Sequence, residues 1–179
     1  MQREVDEQVD RIQARAEHVD APVVVLTCGA AGAGKTTLAK ALETQGFRRF
    51  SYDEEFWARG YRNEFPPSAE IRQIEARMQA AIVELLGRGH NLVLDFSFST
   101  RAVRDEYRAL IEEAGGSVVL AYFDVPIDTL RERIALRSRE YHANAFRLSD
   151  ATLQRYVEGF ERPSAEEFPL VFGVGSPQS

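Results

Sequence analysis

A single cysteine, Cys28, among 179 residues excludes an internal disulfide, and nothing about it calls for an oxidising compartment. No apolar run approaches the roughly 20 residues that a bilayer-spanning helix needs, so no membrane partner is expected. The opening Met1-Gln2-Arg3-Glu4-Val5-Asp6-Glu7 is too acidic and polar for a secretory leader. Basic residues are in the minority: 22 Lys and Arg stand against 28 Asp and Glu, a formal net charge of −6. A general nucleic-acid binder shows the opposite balance, which leaves only a local basic groove open. His18, His90 and His142 share no metal-ligand spacing, so no structural metal is expected. Internal repeats and low-complexity segments are absent. One domain with a full hydrophobic core, in the cytoplasm, is the expectation.

Against these absences stands Gly29-Ala30-Ala31-Gly32-Ala33-Gly34-Lys35-Thr36, which matches the phosphate-binding loop G-x-x-x-x-G-K-[ST]. The β-branched run Val23-Val24-Val25-Leu26-Thr27 before it reads as a buried strand, and Thr37 to Glu43 after it reads as a helix stopping near Gly46. Glycines let the backbone wrap a pyrophosphate with its N–H groups inward, and the helix N-terminus adds free donors and partial positive charge. Nucleotide therefore maps to residues 29–36 and Thr37. Lys35 would contact the β- and γ-phosphates, and the Thr36 hydroxyl would coordinate Mg²⁺. ATP and Mg²⁺ are the implied cofactors.

Elsewhere the pattern alternates between strands and helices. Val5, Val9, Ile12, Ala16 and Val19 form a narrow apolar stripe on an N-terminal helix. Such a stripe packs either on its own domain or on a second copy in a homodimer. Phe47 to Asp53 reads as a second strand ending at Asp53, and Glu54 to Tyr61 as a short helix or loop. After Pro66-Pro67, Ser68 is placed to cap a helix burying Ile71, Ile74, Met78, Ile82, Leu85 and Leu86. Asn91 to Asp95 is a third strand. Thr100 caps a helix with Val103, Tyr107, Leu110 and Ile111 inward. Ser117 to Phe123 is a fourth strand, and Asp124 reads as the N-cap of the helix through Ile127, Leu130 and Ile134. Leu153, Tyr156, Val157 and Phe160 belong to a last helix. Phe168 to Phe172 is a fifth strand weakened by Pro169. The fold class implied is α/β: a parallel sheet of about five strands covered by helices on both faces. The expected divisions are the helix at 1–21, the domain at 22–175 with a lid at about 137–148, and a tail at 176–179.

Ligands of such sheets bind beyond the carboxyl ends of the strands. Asp53, Asp95 and Asp124 are expected there. No Asn-Lys-x-Asp element supports guanine specificity, and Phe96 stands after Asp95 where motor ATPases usually place a water-activating glutamate. What remains resembles a family of small AAA-type phosphate-loop kinases that includes phage-type polynucleotide 5′-kinases, zeta toxins and chloramphenicol phosphotransferase. The likeness spans Val23 to Phe168. It rests on the phosphate loop, on Ser51-Tyr52-Asp53, on Leu92 to Asp95 with Thr100 to Tyr107, and on Phe160-Glu161-Arg162-Pro163-Ser164-Ala165-Glu166-Glu167.

The resemblance implies that Asp53 is the general base for an attacking hydroxyl; its alternative is a helix cap. Asp95 would hold Mg²⁺ through a water, or else is a turn residue. Arg131 to Arg139 resembles the entrance to the family's lid. Arg133 and Arg137 share a helix face, with Arg137 the foremost candidate for the phosphates and Arg139 and Arg147 behind it. Their alternative is a solvated basic face. Arg101 and Arg104 either face substrate or pair on a helix surface. Phe56, Trp57, Tyr61 and Phe65 line an acceptor pocket, stack on a base or belong to the core. The activity expected is ATP-dependent phosphorylation of a small-molecule hydroxyl. A polynucleotide 5′-hydroxyl, or a non-catalytic ATP-binding partner module, are the alternatives.

Overall fold

The computed structural model describes residues 2–62, 64–137 and 150–173. Its elements run α1 (Gln2–Ala16), β1 (Val23–Cys28), α2 (Lys35–Thr44), β2 (Arg48–Phe50), α3 (Tyr52–Ala58), α4 (Ser68–Gly87), β3 (Leu92–Leu94), α5 (Arg101–Glu113), β4 (Ser117–Phe123), α6 (Ile127–Arg137), α7 (Asp150–Glu158) and β5 (Leu170–Phe172). The strands form one parallel sheet in the order β2-β3-β1-β4-β5. All six residues of the central β1 are buried, which explains its unbroken apolar run.

The two-residue period of β1 divides the core. Val23 and Val25 face a layer with Leu38 and Leu42 of α2, Leu130 of α6 and Leu153 of α7. Val24, Leu26 and Cys28 face the opposite layer with Ile74, Met78, Ile82 and Leu86 of α4 and Tyr107 and Ile111 of α5. The α1 stripe joins the first layer: Val5, Val9 and Ile12 are buried in its core. The apolar surface that a homodimer would have used is therefore occupied by the chain's own domain.

Several local expectations change. Helix α1 ends at Ala16, leaving Val19 exposed. β2 stops at Phe50, because the buried Ser51 turns the chain and caps α3 by accepting from the Glu54 amide (3.4 Å). Asp53 thus lies in the first turn of a helix and not at a strand end. Pro67, not Ser68, occupies the α4 N-cap, without a side-chain cap. On α5, Thr100 caps as expected (3.4 Å to the Val103 amide), but Val103 is exposed and Arg104 is buried in its stead. Asp124 does not cap α6, whose first backbone bond runs from Leu130 to the Pro126 carbonyl. It accepts from the Tyr122 hydroxyl (3.2 Å) and pairs with Arg162 (3.5 Å). Phe160 lies beyond the end of α7, and β5 begins only after Pro169.

Candidate active site

The loop between β1 and α2 has a shape that side chains would obstruct. Gly32 has φ +82°, and a β-carbon there would lie 3.2 Å from Ile134 Cγ1 of α6. A β-carbon on Gly29 would lie 3.1 Å from the Phe123 carbonyl oxygen of the neighbouring strand end. Gly34, in the left-handed region, starts α2, and its carbonyl accepts from the Thr37 and Leu38 amides. The leading amides of a helix that starts this way have no acceptor within the helix, which suits them to an anion.

Lys35 Nζ lies across the loop and donates to the Ala30 carbonyl (2.9 Å). Thr36 donates its hydroxyl to Asp95 Oδ1 (3.2 Å). Asp95 directly follows β3, with its side chain only 3% exposed. Burial pushes its carboxyl above the ordinary range, against the pull of Lys35, Thr36 and Arg49. Thr36 and Asp95 thus form a pair of hard oxygen donors beside the phosphate loop. Among the described residues no group of three or more His, Cys, Asp or Glu gathers as a metal nest. One carboxylate plus one hydroxyl fits Mg²⁺, which keeps several waters and takes its remaining ligands from substrate phosphates.

Two residues that the motif reading missed build this corner. Thr27, fully buried in β1, donates to the carbonyls of Leu94 and Phe96 on either side of Asp95 (3.1 Å each). Arg49 of β2 donates to Asp95 Oδ2 (3.2 Å) and Glu43 (3.2 Å), and also pairs with Glu54. Burial opposes its charge, but Glu54, Glu43 and Asp95 outweigh that cost and raise its basicity. The only trace in sequence is an arginine inside a strand otherwise read as weakly alternating.

Asp53 is exposed, in the first turn of α3. Ser51 takes the capping role, so the helix-cap alternative does not account for Asp53. The end of β2 lies two strand spacings from the end of β1, roughly 10 Å. Its neighbour Tyr52 fastens α3 to the sheet: its ring packs on Phe96 (centroids 4.3 Å apart), and its hydroxyl meets that of Tyr107 (3.1 Å) and donates to the Glu75 carboxylate (3.4 Å). The aromatic group beyond Asp53 divides. Phe56 is core, Tyr61 donates to Glu70 (2.6 Å), Phe65 is exposed, and Trp57 carries the Arg62 guanidinium 3.8 Å from its ring centroid.

The lid arginines are only partly described. Arg133 reaches the loop, where it donates to the carbonyls of Gly32 and Ala33 (3.3 Å each), bracing the backbone. Arg137 ends α6; its side chain, Arg139, Arg147 and the expected lid from 138 on lie outside the described residues. Arg101 and Arg104 do not face the loop. Arg101 pairs with Asp105 (2.9 Å), and Arg104 is buried against Glu167 (2.5 Å).

Comparison with known proteins bears on the family and the fold. A family profile described as an AAA domain matches residues 24–163. The chain belongs to that family. It is a P-loop kinase-like domain with the three-layer fold of P-loop NTPases. Solved structures share its fold at low identity. A gluconokinase from Sinorhizobium meliloti 1021 is 20% identical, with a TM-score of 0.57, over 87% of this chain and 85% of that one. Chaetomium thermophilum Kti12, solved with ADP-AlF3, is 17% identical, with a TM-score of 0.65, over 86% and 88%. A chain of the Pnkp1/Rnl/Hen1 complex is 23% identical, with a TM-score of 0.57, over 63% of this chain but only 39% of its own length. Among curated proteins none matches by sequence. No helix among the described residues is long and apolar enough to cross a membrane.

Proposed function

We propose that this P-loop protein is a Mg²⁺/ATP-dependent kinase that transfers the γ-phosphoryl group to a hydroxyl of a small molecule. One observation supports the reading: the phosphate loop, the Thr36–Asp95 oxygen pair and the α3 turn that contains Asp53 follow the carboxyl ends of β1, β3 and β2, at the same end of the sheet. Loop amides and Lys35 would hold the β- and γ-phosphates and offset the charge spreading over the γ-oxygens. Thr36 and Asp95 would hold Mg²⁺, which supplies charge neutralisation on the phosphates when bound. Asp53 would accept the acceptor's proton as its oxygen bonds to the γ-phosphorus and the β–γ bridging bond breaks, releasing ADP. Arg137 and Arg133 would complete the phosphate surroundings from α6.

The acidic balance of the chain favours a small acceptor over a polymer. A polynucleotide 5′-hydroxyl is the second reading, favoured by the Trp57–Arg62 pair beyond Asp53, whose stacked cation and ring suit a base or phosphate. The test is a screen of hydroxyl compounds and oligonucleotides for an ATP-dependent gain of one phosphoryl group. Asp53→Asn should bind ATP nearly as wild type while transfer falls about 10²-fold or more. Lys35→Ala should lose ATP binding. Steeply salt-dependent labelling of oligonucleotides alone would shift the assignment to the second reading. Nucleotide binding without transfer to any acceptor would leave a non-catalytic ATP-binding module.

A further inference from the structure

Arg49 sits on β2, an element with no part in the phosphate loop, yet its guanidinium meets three carboxylates from three places. Nε donates to Glu43 on α2, Nη1 to Asp95 Oδ2 after β3, and Nη2 to Glu54 in the first turn of α3. Its side chain is 6% exposed, whereas those of Glu43 and Glu54 are about half exposed. A buried guanidinium is costly unless it is paired, and here each of its three nitrogens donates to a carboxylate. The two acids nearest the chemistry are divided by this arrangement. Asp95 has Oδ2 on Arg49 and Oδ1 on Thr36, so its carboxylate plane cannot turn without breaking a bond on one side. Glu54 adjoins Asp53, so the same guanidinium is also bonded to the α3 turn, capped by Ser51, that carries Asp53.

We propose that Arg49 is a positioning residue that aims the Asp95 oxygen at the metal position beside Thr36 and ties that position to the turn carrying Asp53. This rests on the nucleotide–metal reading of the site. The physical ground is that outer partners of a metal-holding carboxylate fix its orientation, and their removal costs about 10- to 100-fold in metal affinity. Lysine could not substitute. Its three donors share one nitrogen and cannot reach the three carboxylates that Nε, Nη1 and Nη2 meet separately, and removal of the fork frees Asp95 to rotate.

The experiment measures binding of a fluorescent ADP analogue to the full chain, with and without Mg²⁺, for wild type, Arg49→Met and Arg49→Lys, with melting temperature recorded for each. Arg49→Met should keep metal-free nucleotide affinity within about twofold while the Mg²⁺ concentration giving half-maximal enhancement rises about tenfold or more. If the methionine variant does not fold, the lysine variant is held to the same criterion. Glu54→Gln, which weakens only the α3 arm, should leave that Mg²⁺ dependence near wild type and lower transfer at saturating ATP. Wild-type Mg²⁺ dependence in a folded Arg49 variant would overturn the proposal while leaving the nucleotide reading intact. Absence of any Mg²⁺ enhancement in wild type would overturn the nucleotide–metal reading itself, and the proposal with it.

Discussion

Replacement of Arg104 by methionine tests the interior of this fold most directly. Arg104 is 2% exposed and donates from all three guanidinium nitrogens: Nε and Nη2 grip both Glu167 oxygens (2.5 and 3.2 Å), and Nη1 donates to the carbonyls of Phe98 (3.0 Å) and Glu161 (2.9 Å). Removing one partner of a buried ion pair costs about 3–5 kcal/mol, because the other charge stays buried. Here Glu167 would keep the Ser164 amide (2.8 Å) and a distant Arg101 (3.6 Å), which places the cost near the lower end, about 3 kcal/mol. For a chain of this size each kcal/mol shifts the melting temperature by roughly 2–4 °C, so a fall of about 6–12 °C is expected. Urea unfolding with matched slopes measures the free energy, and the double variant Arg104→Met/Glu167→Leu isolates the coupling. The double variant should be less destabilised than the sum of its singles by more than about 1 kcal/mol. A loss under about 1 kcal/mol in Arg104→Met, or additive singles, would refute the view that this pair pins the 160–167 segment to the loop after β3.

The same pair predicts a pH response. Burial raises the Glu167 carboxyl, but Arg104 and the Ser164 amide outweigh it and hold the carboxyl below its ordinary 4.5. Its contribution is therefore full above that value and is lost as pH falls through the lowered one. The stability gap between wild type and Glu167→Gln should be constant at pH 6–7 and shrink below about pH 4.5, read by urea midpoints; a gap that widens on acidification would contradict this. Burial pushes the Cys28 thiol up to about 12, and it donates to the Phe98 carbonyl (3.4 Å), so thiol reagents at pH 8 should react only in denaturant. Gly32→Ala should lower the melting temperature and weaken ATP binding, since alanine at φ +82° is strained by about 1–2 kcal/mol and its methyl meets Ile134. Wild-type ATP affinity in that variant would show that the loop tolerates the added methyl.

Local chemistry made much of this legible without coordinates. The phosphate loop is read from eight consecutive residues, and β4 falls where its apolar run begins and ends, at Ser117–Phe123. Four of the six residues expected on the inner face of α4 are buried, because a 3.6-residue period is intrinsic to the helix. Short strands are less legible: three-residue β2 has no room to show a period, so the pattern alone runs on past Ser51 into the α3 turn. Arg104 was invisible as a core residue, since an arginine on an amphipathic helix reads as its outer face until a carboxylate from 63 residues away covers it.

The chain by itself determined the loop, the order of strands and helices and the acid that follows β3, because each depends on neighbours within a few residues. Only the tertiary structure decided that Arg49 joins three carboxylates, that Arg104 is buried, and that the α1 stripe is covered by its own domain. Those outcomes are pairings between distant segments, and the energy of a buried charge is set by whichever partner the fold brings to it.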